Sequence, residues 1–318
     1  MPADEIGVAA ARRFLAGHLG HDPGAVELVG AGHWSRCFGF VDGARELVVR
    51  FGTHLDDFER DRRAAQLAGP GLPVPAVLAV GPAFDGWFAI STRVRGVPLE
   101  SLDEPGWRAV LPDLLVALDA LQAVDLAATT GCGSWDADGN APDATWRDHL
   151  LGVAADEPDH RIPGWRRALA QRPDADRSHR AGLAALVEVA GAFDATGEPR
   201  AVVHGDLLNA NAFATDGRIT GIFDWGCARS GDPLYELALL DFWSSWHPGL
   251  AAVGIRARVE EHWAATGRTF ADHEARVRAG LLHVGVEHQG FCAVLGRDDD
   301  LRRITAQVDA LVDPPSVR

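Results

Sequence analysis

The feature that most constrains the fold is a change of hydrophobic period at Gly96-Val97-Pro98. Before it, residues 26–30, 34–40 and 45–51 are short β-prone runs, and Asp42-Gly43 is a tight-turn dipeptide between the last two. This predicts an antiparallel meander. Residues 56–68 carry helical spacing at Phe58, Ala65 and Leu67 and stop at Gly69-Pro70-Gly71. Residues 74–80 and 87–94, parted by Gly81-Pro82 and Asp85-Gly86, predict a further hairpin. After Gly96 the apolar residues fall at helical intervals instead: Trp107, Val110, Leu111, Leu114, Leu118 and Leu121, then Leu183, Leu186, Val187 and Ala190. The expected class is α+β in two lobes. Residues 1–96 form a small antiparallel-sheet lobe with one main helix, and residues 97–318 form a larger, mainly helical lobe. Within the second, residues from about 125 to 180 are rich in Gly, Asp, Pro and Trp and predict an irregular insertion.

A chain of 318 residues can bury a sizeable core, and 47% hydrophobic with 24% charged residues is ordinary globular composition. The first twenty residues carry Asp4 and Glu5 and no uninterrupted apolar core, so they do not read as a secretory signal, and no stretch is apolar enough to span a bilayer. Cys37, Cys132, Cys227 and Cys292 lie far apart with no CxxC pair, which argues against a zinc site or disulfide framework and fits a reducing cytoplasm. The formal charge of −15 disfavours nucleic acid and favours cationic partners. All thirty Lys or Arg positions are arginine. Nothing signals self-association, so a monomer is the default.

The stretch that carries chemistry is residues 201–225. A β-branched run leads to His204-Gly205-Asp206, and Asp216-Gly217 then closes a two-residue hairpin between residues 212–215 and 218–223. Pairing Thr215 with Arg218 places Asn211 opposite Ile222, so Asp224 lies two residues further on, roughly 7 Å at strand rise. An amide oxygen and a carboxylate at one open end suit magnesium, a hard cation that keeps several waters. Phosphoryl transfer needs positioning, charge neutralisation and a carboxylate near the attacking hydroxyl, and Asp206 is placed for that last role.

His204, Asp206, Asn211, Asp224 and Trp225 together resemble the catalytic loop and metal-binding hairpin of the aminoglycoside phosphotransferase family, which has the protein-kinase-like fold. Gly231-Asp232-Pro233 with Tyr235 and Glu236 resembles the segment that follows. The resemblance covers essentially the whole chain. It implies Asp206 as catalytic residue, Asn211 and Asp224 as magnesium ligands, His204 as a structural orienter of the loop, and ATP as donor, with GTP not excluded.

In the small lobe the resemblance implies a phosphate-covering turn at residues 30–35, with Gly32 allowing close backbone approach and Ser35 donating to phosphate. Arg50 stands where the family has lysine, and Asp61 where it has the pairing acid. An arginine keeps its charge and spreads its donors over a planar fork. Residues 90–96 resemble the hinge strand, so backbone groups near Thr92 and Val94 would meet the purine edge.

For the acceptor, the nearest likeness is to hygromycin B phosphotransferases, carried by Thr145-Trp-Arg-Asp148, Phe242-Trp-Ser-Ser-Trp246, Val49-Arg50 and Asp61-Arg62. A polyhydroxylated cation would be held by carboxylates and indole faces, with Trp146, Asp241, Trp243 and Trp246 as candidates. The expected partner is thus a small cationic acceptor, not nucleic acid or membrane. Nucleoside antibiotics, macrolides, choline and sugars remain open as acceptors. A nucleotide-binding pseudokinase is the competing class, motivated by the absent lysine. His283 and Glu287, four apart on an expected helix, lack a third ligand and are set aside as a metal site.

Overall fold

The computed structural model of the chain describes residues 2, 5–32, 34–158, 161–193 and 200–313. The chain divides into two compact units, one built from residues 1–130, 134–140 and 204–228, the other from residues 131–133, 141–203 and 229–318.

The first unit holds a five-stranded antiparallel sheet of β1 (Glu27–Ala31), β2 (Ser35–Asp42), β3 (Arg45–Gly52), β4 (Val77–Ala83) and β5 (Gly86–Thr92), in spatial order β1-β2-β3-β5-β4. Strand alternation sends Phe38, Phe40, Leu47, Val49, Phe51, Phe88 and Ile90 into one core. Helix α1 (Val8–Leu19), for which no helix is expected from the pattern above, adds Ala10, Ala11 and Leu15 to that core. Its signal is short: an alanine run with Leu15 one turn after Ala11, ended by Gly20 in the left-handed region at φ 75°. Cys37, Arg50 and Ala89 are cross-strand neighbours on the other face of the sheet. Helix α2 (Leu55–Ala64) buries Phe58 and Ala64, with Asp56 and Asp57 in its first turn and Arg62 and Arg63 in its last, which complements the helix dipole at both ends.

After Gly96 the chain makes the two-residue strand Val97–Pro98, which pairs with Ala212–Thr215. The latter pairs in turn with Arg218–Ile222 through Asp216 (φ 50°) and Gly217 (φ 73°), the two positive angles a type I′ turn requires. Helix α3 (Glu104–Gln122) is capped by the Asp103 carboxylate, which accepts the Gly106 amide at 2.9 Å, and Arg218 is tied to it by a 2.7 Å ion pair with Asp113.

The second unit is mainly helical. Helix His273–Leu295 packs against Pro173–Val189 and Asp298–Val312, burying Leu186, Val277, Leu282, Val284, Val286, Ile304 and Val308. The stretch expected to be irregular instead contains helices Trp146–Gly152 and Trp165–Ala170 and the start of Pro173–Val189. The first of these begins in a capping box: Thr145 and Asp148 satisfy one another's backbone amides, a signal present in the sequence as Thr145-Trp-Arg-Asp148. Strands Ala201–Val203 and Arg229–Gly231 run antiparallel. Trp146 packs on Gly231, where a Cβ would stand 2.1 Å from the indole, so only glycine fits. Among the described residues no helix is long and apolar enough to cross a membrane.

Candidate active site

The site is assembled within the first unit. His204 is fully buried. Its Nδ1 accepts the Asp206 amide at 3.2 Å, and Nε2 stands 3.2 Å from the Phe223 carbonyl. Burial pushes the ring down to about 4, so it stays neutral and links loop to hairpin. Gly205 has φ 83°, and a Cβ there would lie 2.4 Å from the Cys227 carbonyl. The sharp bend before Asp206 therefore requires glycine.

Both carboxylate oxygens of Asp206 are held by side-chain amides. Asn209 Nδ2 donates to Oδ1 at 2.9 Å, and Asn211 Nδ2 donates to Oδ2 at 2.9 Å and to the Asp206 carbonyl at 2.8 Å. With its nitrogen committed to Asp206, Asn211 is left with its amide oxygen as ligand atom.

The hairpin register departs from simple alternation. Arg218 pairs with Thr215, but a bulge between Ile219 and Gly221 brings Ile222 opposite Ala212. The extra residue, Thr220, donates its hydroxyl to the Arg95 carbonyl at 2.6 Å. The Phe223 amide accordingly donates to the Asn211 carbonyl at 2.9 Å, so Asp224 follows one residue beyond Asn211's partner instead of two. Asp224 itself is left-handed (φ 62°, ψ 63°), a conformation asparagine and aspartate tolerate best among residues with a Cβ. An amide oxygen and a carboxylate meet at this end of the hairpin, a donor set that suits magnesium.

Arg50 joins the two other acids. One arm pairs with Asp61, and Nη1 lies 2.6 Å from Asp224 Oδ1. Its cation also lies over the Phe58 ring, 4.7 Å from the centroid. Burial works against the charge, but Asp224 and Asp61 outweigh it and hold the guanidinium above its ordinary value. Burial raises the Asp61 carboxyl above the usual range, against the pull of Arg50. Asp61 Oδ1 also accepts the Trp225 amide at 2.8 Å. Arg60, one residue earlier on α2, donates to the Gly226 and Trp135 carbonyls at 2.7 Å each. Helix α2 thus grips Trp225 and Gly226, the two residues that follow its metal-ligand candidate Asp224. The family resemblance points to Arg50 and Asp61; Arg60, Asn209 and the bulge carry no signal of their own.

Of the other nucleotide candidates, Gly32 and Ser35 close the β1–β2 turn, the Gly32 amide donating to the Ser35 carbonyl at 2.9 Å; His33 lies outside the described residues. The Thr92 amide donates to the Ala76 carbonyl at 3.0 Å and its hydroxyl accepts the Ala76 amide at 3.0 Å. Val94 follows two residues later, on the connection to Val97–Pro98.

The acceptor candidates belong to the second unit. Trp146 is 7% exposed, edge-on to Tyr235. Asp241 is partly buried, which raises its carboxyl, and its nearest cation is Arg256 at 3.7 Å. Trp243 and Trp246 are half-buried and meet edge to face, centroids 5.3 Å apart. Arg303 covers Trp246 at 3.7 Å, and Trp246 Nε1 donates to Gln307 at 2.8 Å. His283 and Glu287 are taken by other partners: the Tyr235 hydroxyl donates to His283 Nδ1 at 2.6 Å, and Glu287 pairs with Arg229 at 3.3 Å. Asp232, in the Gly-Asp-Pro segment, is gripped by the Arg276 fork at 2.8 and 2.9 Å.

A model of the phosphotransferase enzyme family matches residues 26–271. Hygromycin-B 4-O-kinase of Escherichia coli is 32% identical over 285 residues, covering 88% of this chain and 78% of that protein. A thermostable mutant of aminoglycoside phosphotransferase APH(4)-Ia, crystallised as a ternary complex with AMP-PNP and hygromycin B, superposes with a TM-score of 0.82 at 29% identity, covering 97% of this chain and 100% of that one. Spectinomycin phosphotransferase APH(9)-Ia, in complex with ADP and spectinomycin, shares the fold at a TM-score of 0.62 and 10% identity, with 98% and 96% of the two chains covered.

Proposed function

The chain belongs to the phosphotransferase enzyme family, and from that premise we propose that it transfers the γ-phosphoryl group of ATP to a hydroxyl of an aminocyclitol antibiotic of the hygromycin B type. It is a small-molecule kinase that binds a nucleotide and acts on an alcohol. The observation that carries the mechanism is the network in which Asn209 and Asn211 hold the two oxygens of Asp206. In that network Asp206 orients the acceptor hydroxyl and takes its proton as the bond to phosphorus forms. Asn211 and Asp224 would hold magnesium, which supplies charge neutralisation at the triphosphate when bound. Arg50, one arm held by Asp61, would turn the arm that pairs with Asp224 in this structure toward phosphate oxygens when nucleotide and metal bind. Gly32 and Ser35 cover the phosphates, and the backbone at Thr92 and Val94 meets the purine.

For the acceptor, the candidates are the half-buried indoles of Trp243 and Trp246, the latter with Arg303 over its ring, together with Asp241 and the more deeply buried Trp146. A net charge of −15 favours a cationic antibiotic arriving by diffusion. The enzyme would act as a cytoplasmic monomer. The test is a panel of hygromycin B, spectinomycin, a macrolide and choline incubated with ATP and magnesium, with phosphorylated product identified by mass spectrometry. The proposal expects the highest kcat/KM with hygromycin B. Equal or better turnover of choline would replace it with a metabolite kinase, and no product with any acceptor would defeat it.

A further inference from the structure

Two successive residues of the catalytic loop, Asn209 (φ 64°) and Ala210 (φ 61°), are left-handed. Alanine has no side chain with which to repay that conformation, which costs about 1–2 kcal/mol for a residue with a Cβ. Such a turn persists only where its surroundings hold it. The group that holds it here is Glu100, whose Oε1 accepts the Ala210 amide from 110 positions away in the chain.

Glu100 is itself fixed independently of the loop. It sits in the turn Leu99–Ser101, with Leu99 fully buried beside it and the Ser101 hydroxyl donating to the Pro98 carbonyl at 2.6 Å. The strand Val97–Pro98 that precedes it is paired to Ala214 and Phe213 of the metal-ligand hairpin. Glu100 Oε2 is buried without a hydrogen-bond partner, an arrangement that costs about 1–3 kcal/mol. The carboxylate is therefore poorly placed for its own solvation and well placed for the loop amide.

We propose that Glu100 is a positioning residue for phosphoryl transfer: by pinning Ala210 it keeps Asn209 and Asn211, the residues on either side, aimed at the two oxygens of Asp206. Without the pin, the turn relaxes toward ordinary backbone angles and Asn209 leaves Oδ1. The inference rests on the reading of Asp206 as the group that receives the acceptor proton. It adds a residue that lies outside the catalytic motif and touches the reacting carboxylate only through the loop.

The test is steady-state kinetics with ATP, magnesium and hygromycin B, together with melting temperatures, for Glu100→Ala, Glu100→Gln, Asn209→Gly and Asp206→Asn. Glu100→Ala should lower kcat about tenfold, as expected for a displacement of a catalytic group by a fraction of an ångström, with the KM for ATP within about twofold of wild type. Glu100→Gln, which keeps the acceptor oxygen, should recover most of that loss. Asn209→Gly keeps the left-handed turn and removes the amide; it should lower kcat by a similar factor, and adding Glu100→Ala to it should cost clearly less than the sum of the two, since the Asn209 contact is common to both and only the Asn211 contact remains to be lost. An unchanged kcat in Glu100→Ala, failure of Glu100→Gln to recover activity, or fully additive losses would overturn the proposal. Should Glu100→Ala melt far below wild type, the exposed Asn209→Gly decides the matter by its kcat alone. Asp206→Asn separates the two readings: wild-type turnover in that variant sinks the catalytic reading itself, whereas an inactive Asp206→Asn beside an unaffected Glu100→Ala sinks only the positioning role.

Discussion

The two units bury charge differently: the first gathers it into one shared cluster, the second divides it into separate pairs among neutral histidines. In the first, Arg50, Asp61 and Asp224 stay charged and grip one another, while Asp224, Asn209 and Ala210 are kept in left-handed backbone. In the second, several buried or half-buried histidines are driven neutral. Burial lowers His149 to about 2 and His179 and His283 to about 4, and His283 Nδ1 shares a 2.6 Å hydrogen bond with the Tyr235 hydroxyl. The unit's buried arginines are tied in separate pairs: Arg276 grips Asp232, and Arg229 holds the Glu287 carboxyl down at about 2 against the cost of burial. The shared, strained cluster of the first unit is what the proposed catalytic role calls for. Charged groups held by one another, on strained backbone, are what a phosphate-handling site requires. Neutral hydrogen-bonded side chains inside a helical body stabilise it at little electrostatic cost.

The comparison can be broken first at Asp224. Asp224→Asn removes the carboxylate of the proposed metal site and should lower kcat roughly a thousandfold, the scale of several kcal/mol of lost charge stabilisation, while the protein still melts cooperatively. Near-normal turnover would mean that the charged cluster is structural. Next in size is Arg50→Lys, which keeps the charge and loses the fork. The KM for ATP should rise about thirtyfold, as expected from losing one charge-assisted hydrogen bond. An unchanged KM would show that a point charge suffices there. Trp243→Ala should raise the KM for hygromycin B about fivefold, the loss of one exposed cation contact with an indole, and leave the KM for ATP alone. A change in the ATP constant instead would place that indole outside the acceptor pocket.

The smallest effect concerns stability and pH. His179, His204 and His283 have folded-state pKa values near 4, below the unfolded value, so they favour the native state above about pH 6.5. That contribution is lost as the pH falls from there toward 4. Urea denaturation at pH 7 and pH 5 should give a lower midpoint at pH 5, and His179→Gln should flatten the dependence. A midpoint higher at pH 5 would contradict the neutral-histidine description.

The same contrast explains what was legible in the sequence. Strands β2, β3 and β5 and the Asp216-Gly217 turn follow from period-two alternation and local turn chemistry, and the Asp206, Asn211 and Asp224 constellation sits within one short segment. Arg50 and Asp61 are visible through the family resemblance, which marks those positions on the third strand and the helix that follows. The bulge at Thr220 is not, because it depends on a hydroxyl bond to the Arg95 carbonyl far away in sequence. Glu100 is invisible for the same reason, since it meets the loop only in the folded chain. Helix α1 is short and alanine-rich, and its apolar face needs the sheet to reveal it. The helices at Trp146–Gly152 and Trp165–Ala170 are brief enough for their Gly, Asp and Pro flanks to dominate the pattern.

The central claim is that the loop and hairpin of the first unit perform phosphoryl transfer through Asp206. Its most direct measurement is the mass of hygromycin B after incubation with ATP, magnesium and either wild-type protein or Asp206→Ala, with nucleotide binding to each followed by titration calorimetry. The account predicts one added phosphoryl group with wild type, a loss of rate of at least about a hundredfold in the variant, and equal nucleotide affinity in both. Equal product formation by the two proteins would contradict it.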